Sequence, residues 1–389
     1  MQRFLVKSER ILVILFLLLI PTQLGKHFWI DGSYVMGSRI DYLSPTLYLI
    51  DCVWILLFLI SNLRGWKKQT IGFEVIMVVS LVLMNVMVAE NKMVAVYRWI
   101  RIGQCFWMLN YFWQNKKEIK GLVVKIIPWW IGTEVLLGWM QVASGGSIGG
   151  VWYWLGERRF NFNTVGIAQM SLNGEGLVRA YGTFSHPNSL AGFLVVVLAL
   201  WMRIKKKNIF WWAVFFFGVS GILICGSRTV WAVTTVLIIA KLVRWKRAVG
   251  LIMIGVGLVI LAISSGMVGG WDKESWNKRV VLNEAAVEMV KENLWLGVGA
   301  GNFLVKLPKY QLSGPYWWQP VHNVPLLVVS EIGLLGVMGL GWILRKFLIL
   351  NKSQMVLLGV VVVTGMVDHY WVTLPQNNWL LVVVLALMG

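Results

Sequence analysis

Charge is scarce in this chain of 389 residues. Asp, Glu, Lys and Arg together make up 14% of it, whereas a soluble domain carries about a quarter. That scarcity excludes an ordinary soluble fold. Acids are scarcer still, with 17 Asp and Glu against 36 Lys and Arg, so a cation placed in the protein interior has few internal partners. The three cysteines, Cys52, Cys105 and Cys225, lie in or beside apolar segments with no Cys-x-x-Cys. They read as small apolar core residues and carry no information on redox compartment. The four histidines, His27, His186, His322 and His369, are dispersed with no helical pair. There is no Walker loop, no HExxH, no Gly-x-Ser-x-Gly and no Asp-x-Asp suited to a nucleotide-sugar metal. Nothing argues for a metal or any other cofactor.

Apolar runs of membrane-spanning length fill the space that charge leaves. The chain is 58% hydrophobic, and such runs recur from end to end. This pattern predicts an all-α polytopic membrane protein. A net charge of +19 would suggest nucleic acid in a soluble protein. Here the basic residues fall in short clusters between apolar runs, which is the positive-inside pattern. Tryptophan pairs at run ends, such as Trp129-Trp130, Trp211-Trp212 and Trp317-Trp318, fit interfacial belts. The N-terminal run behind Arg3, Lys7 and Arg10 lacks a small-x-small cleavage site, so it reads as a retained first helix.

Hydropathy places about twelve transmembrane helices, at 10–29, 43–62, 71–89, 93–113, 121–142, 188–203, 208–225, 229–243, 247–264, 323–343, 354–368 and 376–388. Alternate connections are basic throughout. They include Arg64-Lys67-Lys68, Lys116-Lys117-Lys120 and Arg345-Lys346-Lys352. The others are neutral, mixed or acidic, as at Asp368-His369. Both termini are therefore expected in the cytoplasm, in a cytoplasmic (inner) membrane. The chain divides into helices 1–5 over 1–142, a first long outer loop over 143–187, helices 6–9 over 188–263, a large outer loop over 264–322 and helices 10–12 over 323–389. Loops this long on a rigid scaffold are where function concentrates. The larger loop contains an amphipathic segment at 277–294, with Val281, Ala285 and Met289 in one row and Leu282, Ala286 and Val290 in the next. Gly297, Gly299 and Gly301 then break it. The segment is expected along the membrane surface or packed on the bundle.

Four groups of polar residues could carry chemistry. In the first, Arg179 precedes a Gly- and Pro-containing stretch, through His186, that enters a helix capped by Asn188 or Ser189. That is an anion cradle or an ordinary capped loop. In the second, Arg228 lies in a tight turn between apolar runs, where it binds a phosphate or snorkels to lipid headgroups. In the third, His322 and Asn323 stand at the head of an apolar run with Glu331 beyond. A neutral imidazole there can accept a proton at physiological pH. In the fourth, Arg98 and Arg101 lie three apart inside one run, either binding phosphate or pairing with Glu74, Glu90 or Glu134.

Together these segments resemble the O-antigen ligase and O-antigen polymerase superfamily of bacterial membrane glycosyltransferases. The matching stretches are Arg179-Ala-Tyr-Gly-Thr-Phe-Ser-His-Pro-Asn-Ser-Leu-Ala-Gly192, Ser227-Arg-Thr-Val-Trp231, Asn293-Leu-Trp-Leu-Gly-Val-Gly-Ala-Gly-Asn-Phe303 and His322-Asn-Val-Pro-Leu-Leu-Val-Val-Ser-Glu-Ile-Gly-Leu-Leu-Gly336. The resemblance covers about residues 160–345. It implies a glycan carried on a polyprenyl diphosphate, usually undecaprenyl, and transferred without a metal to an acceptor hydroxyl at the outer face. It implies catalytic roles for His322, Arg179 and Arg228, and nothing is carried over to His186. The acceptor (lipid, glycan or protein) is not legible, so ligase, repeat-unit polymerase and protein O-oligosaccharyltransferase all fit. Trp271, Trp276, Trp317 and Trp318 are candidates for an acceptor groove. A transporter or flippase is the competing class; it would favour internal repeats and midplane sites, and the chain shows neither.

Overall fold

The computed structural model describes residues 2–65, 73–172, 175–204, 207–242, 273–311, 317–348 and 352–387. Among these, fifteen helices account for most of the chain. They are α1 (Gln2–Leu18), α2 (Leu49–Leu63), α3 (Phe73–Val88), α4 (Lys92–Gln114), α5 (Lys116–Ser144), α6 (Val151–Trp154), α7 (Pro187–Trp201), α8 (Ile209–Ile224), α9 (Arg228–Leu242), α10 (Lys273–Glu292), α11 (Phe303–Tyr310), α12 (Val324–Leu344), α13 (Lys352–Gly365), α14 (Tyr370–Thr373) and α15 (Pro375–Ala386). Each expected span has its helix except 247–264, which lies outside the described residues. Two helices, α5 and α12, are long and apolar enough to cross a membrane, and several others are shorter apolar helices.

The helix α7 is apolar on all sides, and its residues from Pro187 to Trp201 are nearly all buried. A helix with no polar face must be enclosed. It is packed by α5, α8, α9, α13 and α15, so it forms the axis of the bundle. The polar segments gather at its N-terminal end.

The first helix ends at Leu18, ahead of Pro21, and not near residue 29. Residues 19–48 instead build a third substantial segment outside the long helices. Strand β1 (Gly25–His27) pairs antiparallel with β4 (Thr46–Tyr48), and β2 (Tyr34–Val35) pairs with β3 (Ser38–Arg39). Proline and glycine stop the helix, and the alternation that follows is strand-like. Val35, Ile40 and Leu43 fasten this segment to Leu282, Leu304, Leu307 and Val321 in a second apolar core. Both predicted rows of the amphipathic segment face that core, since Leu282, Ala285, Ala286 and Met289 are buried. Thus α10 is packed on the bundle through α11 and α12. In the loop over 143–187, β5 (Gln169–Leu172) and β6 (Glu175–Val178) form a hairpin.

Two of the resembling motifs meet backbone to backbone. The helix α12 is broken at Gly333, where φ is 64° and ψ is −178°. The freed groups are bonded by the glycine-rich loop after α10. Val298 and Gly299 donate to the carbonyls of Ser330 and Glu331 at 2.9 Å, and Leu334 and Leu335 donate to Leu294 and Trp295 at 2.9 and 3.1 Å. The backbones approach so closely that a Cβ on Gly333 would lie 2.3 Å from the Trp295 carbonyl oxygen. Buried Asn85 of α3 fixes the junction. Its amide donates to Leu296 O at 2.7 Å and Glu331 O at 3.0 Å, and its oxygen accepts from Ala300 N at 2.9 Å.

Gly333→Ala is expected to lower the unfolding temperature in detergent. Backbone strain alone in this glycine-only region costs about 1–3 kcal/mol, before the clash is counted. Gly359→Ala on α13, where nothing lies within 4 Å, should be neutral or stabilising by up to ~1 kcal/mol. If the two variants melt alike, the loop–helix junction contributes no stability.

Candidate functional site

The segment after β6 is held in place by two polar side chains of α5. Gln141 accepts from the backbone N–H groups of Tyr181 and Gly182 at 3.0 and 2.8 Å, and donates to Gly182 O at 2.9 Å. Glu134 accepts from Thr183 N and Thr183 Oγ1, each at 2.8 Å. Buried backbone groups need such partners, and here they set where Arg179 and His186 emerge.

The cap of α7 is His186, in place of Asn188 or Ser189. The His186 Nδ1 accepts from Asn188 N at 3.1 Å. That leaves the Asn188 side chain to bridge two charged groups. Its oxygen accepts from Arg179 Nη2 at 2.6 Å, and its amide donates to Asp368 Oδ2 at 3.0 Å. Arg179 Nε donates to the Cys225 carbonyl at 2.6 Å, which ties this bridge to the turn before Arg228. Arg228 opens α9, is exposed, and lies near enough for the two guanidiniums to repel.

Asp368 is the centre of the arrangement. Its Oδ1 accepts from His369 N at 2.8 Å. A ring nitrogen of His322, a carboxylate oxygen of Asp368 and a ring nitrogen of His369 all lie within 4.8 Å of one another. The two imidazoles meet edge-to-face with centroids 5.1 Å apart. His369 Nδ1 shares a hydrogen bond of 2.8 Å with Thr373 Oγ1. Among the described residues the buried His322 Nδ1 has no hydrogen-bond partner. Asn323 caps α12, its oxygen accepting from Leu326 N at 2.9 Å. Arg279 of α10 donates to Val367 O at 2.7 Å.

Burial pushes the His322 imidazole well below its ordinary value; the Asp368 carboxylate opposes the shift, and His369, Arg279 and His186 add to it. Burial likewise lowers His369, and lowers His186 to about 4. Burial alone would raise the Asp368 carboxyl. The imidazoles of His322, His369 and His186 and the Arg279 guanidinium outweigh it and hold the carboxyl below the usual range. At neutral pH the centre is therefore a carboxylate beside neutral imidazoles. The three side chains could in principle ligate a metal. They equally form an acid–imidazole pair able to accept a proton.

A polar chamber of about 510 Å³ opens beside this cluster. Arg98, Arg101 and His186 line it, with Tyr42, Gln319 and Thr373 among the other walls. His322, Asp368, Arg179 and Arg228 are not among its lining residues. His322 and Asp368 neighbour His369, whose ring meets the chamber residue Tyr42 edge-on at 5.6 Å and bonds the chamber residue Thr373. The expected residues thus form two adjacent groups. His322 and Asn188 stand at Asp368, with Arg179 joined through Asn188 and Arg228 beside Arg179; Asn323 caps α12, while Arg98, Arg101 and His186 face the chamber.

The acid partner of Arg101 is Asp51, in a buried ion pair. Two of the expected partners are engaged elsewhere: Glu90 pairs with Lys306 at 2.7 Å, and Glu134 holds Thr183. The Glu74 side chain lies outside the described residues. Arg98 donates to Val372 O at 3.2 Å. Trp271 also lies outside the described residues. Trp276, Trp317 and Trp318 do not line the chamber, and Lys278 sits over the Trp317 ring at 4.7 Å.

Sequence reasoning passed over Asp368 and His369. They were read only for the sign of a short connection, although an acid beside a histidine between two apolar runs was itself a signal.

Residues 177–341 match a family model described as O-antigen ligase, an integral membrane family. The match contains Arg179, His186, Asn188, Arg228, His322 and Asn323. Asp368, His369 and the chamber arginines lie outside it. No curated protein matches the chain.

Asp368→Asn removes the charge that favours the His322 imidazolium. An NMR titration of labelled histidine should place His322 below 6.5 in the parent protein, and lower still in the variant. A His322 that titrates at or above that value would mean burial does not govern it.

Proposed function

We propose, on the O-antigen ligase match over residues 177–341, that this protein moves a glycan from a polyprenyl diphosphate to an acceptor hydroxyl at the outer face of the cytoplasmic membrane. One observation carries this reading. The polar chamber and an apolar groove of about 250 Å³ between α4, α12 and α15 share Arg98 and Arg101 in their walls. The groove is otherwise built from side chains such as Ile102, Phe106, Leu327, Leu340 and Val382. An amphiphile with an anionic head and a hydrocarbon tail suits that junction. A soluble nucleotide sugar would have no use for the groove.

The chemistry follows from the groups present. The acceptor oxygen attacks the anomeric carbon from the side opposite the diphosphate, so the configuration inverts. The new C–O bond forms as the bond to the phosphate oxygen breaks. The electron pair leaves on the diphosphate, and the hydroxyl proton goes to His322. A neutral buried imidazole is in the correct state to take that proton. Asp368 steadies the resulting imidazolium and is itself held by Asn188 and the His369 N–H. A diphosphate leaving group needs charge stabilisation more than an acid. Arg98 supplies it in the chamber, and Arg179 and Arg228 join it once the Tyr42–His186 partition has yielded. Arg101 is paired with Asp51 and Arg98 lies in the field of Glu331, and both face the junction where the diphosphate would sit. This route uses no metal. Bringing His322 to the reacting hydroxyl requires the Tyr42–His186 partition to yield when both substrates are bound.

Purified protein with undecaprenyl-diphosphate-linked glycan should transfer glycan in detergent with no ion gradient. Transfer should survive EDTA and collapse in His322→Ala. Full transfer by that variant removes the proposed base, and loss with EDTA removes the metal-free route. Arg98→Ala should weaken donor binding by about 10–100-fold, the worth of one charge-assisted hydrogen bond.

The pH profile follows from the sign of the His322 shift. A lowered value leaves the base unprotonated across the neutral range, so activity should hold from neutral pH down past 6.5 and fall only below it. An acid limb centred at or above 6.5 would count against His322 as the base.

A further inference from the structure

The chamber wall supplied by residues 23–48 is chemically unlike the rest of the surface. Those residues turn polar side chains inward: His27, Asp41, Ser44 and Thr46 all line the chamber. Their apolar neighbours Val35, Ile40 and Leu43 are buried in the second core, beneath α10 and α11. The segment is therefore fastened down, and its inward face is fixed in shape. His27 Nδ1 is bonded to Thr46 Oγ1 at 2.8 Å. The His27 ring is stacked on Trp29 at 5.2 Å, and Arg39 covers Trp29 at 4.5 Å.

Tyr153, Arg158 and Tyr181 of the 143–187 segment stand across the chamber, and Gln319 contributes from the segment before His322. Arg158 donates to Ser185 O at 3.1 Å and lies 6.0 Å from the Tyr181 ring centroid. Asp41 and Arg158 line the same chamber as Tyr42. Both side chains are otherwise exposed. A carboxylate, a guanidinium, an amide and several tyrosine side chains on this part of the chamber match a ring that offers hydroxyls at its edge and C–H groups on its face. The volume lies within the range of small-ligand cavities.

We infer that this wall is a glycan subsite, holding the sugar next to the diphosphate, with Asp41 and Arg158 as its specificity pair. The inference rests on the polyprenyl-diphosphate reading above. Arg98 and Arg101 lie in the same chamber, so a sugar linked to a diphosphate at the groove junction projects towards this wall. Asp41 accepts from sugar hydroxyls and Arg158 donates to them. Loss of either leaves the carrier's binding intact and removes the preference for its cargo.

The test is a comparison of ligands in detergent. The parent protein, Asp41→Ala and Arg158→Ala are titrated with undecaprenyl diphosphate and with the undecaprenyl-diphosphate-linked glycan from the source cells. They are also titrated with the soluble oligosaccharide released from that glycan. The parent should bind the glycan-bearing lipid at least about tenfold more tightly than the bare lipid, the equivalent of one or two neutral hydrogen bonds. Each variant should reduce that ratio towards one without changing bare-lipid affinity, and should lose the oligosaccharide. An unchanged ratio in both variants overturns the inference. So does an intact ratio with a raised KM for the acceptor, which would give the wall to the acceptor instead. Failure of the parent to bind bare undecaprenyl diphosphate strikes the carrier reading, and the oligosaccharide titration then still decides whether the wall binds sugar.

Discussion

The site depends on one carboxylate. Asp368 is the negative charge around which His322, His369, His186 and Arg279 are arranged, and Asn188 links it to Arg179. A chain with 17 acids and 36 basic residues has little anionic charge to spend on its interior. Removing one partner from a buried charge group typically costs several kcal/mol, so this placement is a strong constraint. It draws together segments far apart in sequence: the N-terminal end of α7, the turn before α12, the turn between α13 and α14, and α10. It also leaves an excess of positive charge, since the guanidiniums nearby exceed the one carboxylate they share. A cluster so balanced attracts a further anion, which accords with a diphosphate more readily than with a dication.

A second constraint keeps the first in register. His322 lies one residue before the Asn323 cap of α12, and α12 is held at its Gly333 break by the loop over 294–299. The broken helix does not waste its freed backbone groups; they are the ones that the loop bonds. Gly297 and Gly333 are needed because no side chain fits between the two backbones. Asn85 adds three hydrogen bonds to the same junction from a different helix. The large segment outside the long helices is therefore joined to the bundle by main chain as well as by side-chain packing. Main-chain pairing fixes position more closely than an apolar contact alone, because its geometry is directional.

Much of this was legible in the sequence. Helices were found from hydropathy because an apolar run of that length has few alternatives. The residues around Asp368 on the ligase-like segment were found because a histidine or arginine at the edge of an apolar run is costly and so stands out. What was hidden has physical reasons. The apolar run before Pro21 resumes at Phe28-Trp29-Ile30, so the turn at Pro21 and strand β1 were absorbed into the span 10–29, and β4 into the span 43–62. Asp51 was missed as the partner of Arg101 because the two meet across helices α2 and α4, and no spacing within one helix encodes that. His186 displaced Asn188 as the cap of α7 because Asn188 is needed between Arg179 and Asp368. Local preference gave way to a tertiary bridge.

The separation between the chamber and the imidazole cluster is itself informative. Donor recognition and proton removal are commonly drawn as one pocket. Here Arg98 and Arg101 are in the chamber wall and the candidate base is not, with Tyr42, His186 and Thr373 as the partition between them. Each partition residue is attached to the cluster: Tyr42 by its edge contact with His369, Thr373 by its hydrogen bond to His369, and His186 through the field of Asp368. A ligand that shifts any of them therefore acts on the groups that set the basicity of His322. On the transfer reaction proposed above, such a coupling would guard a lipid-linked glycan against hydrolysis. On that reading the base is screened from the chamber until substrate binding moves the wall.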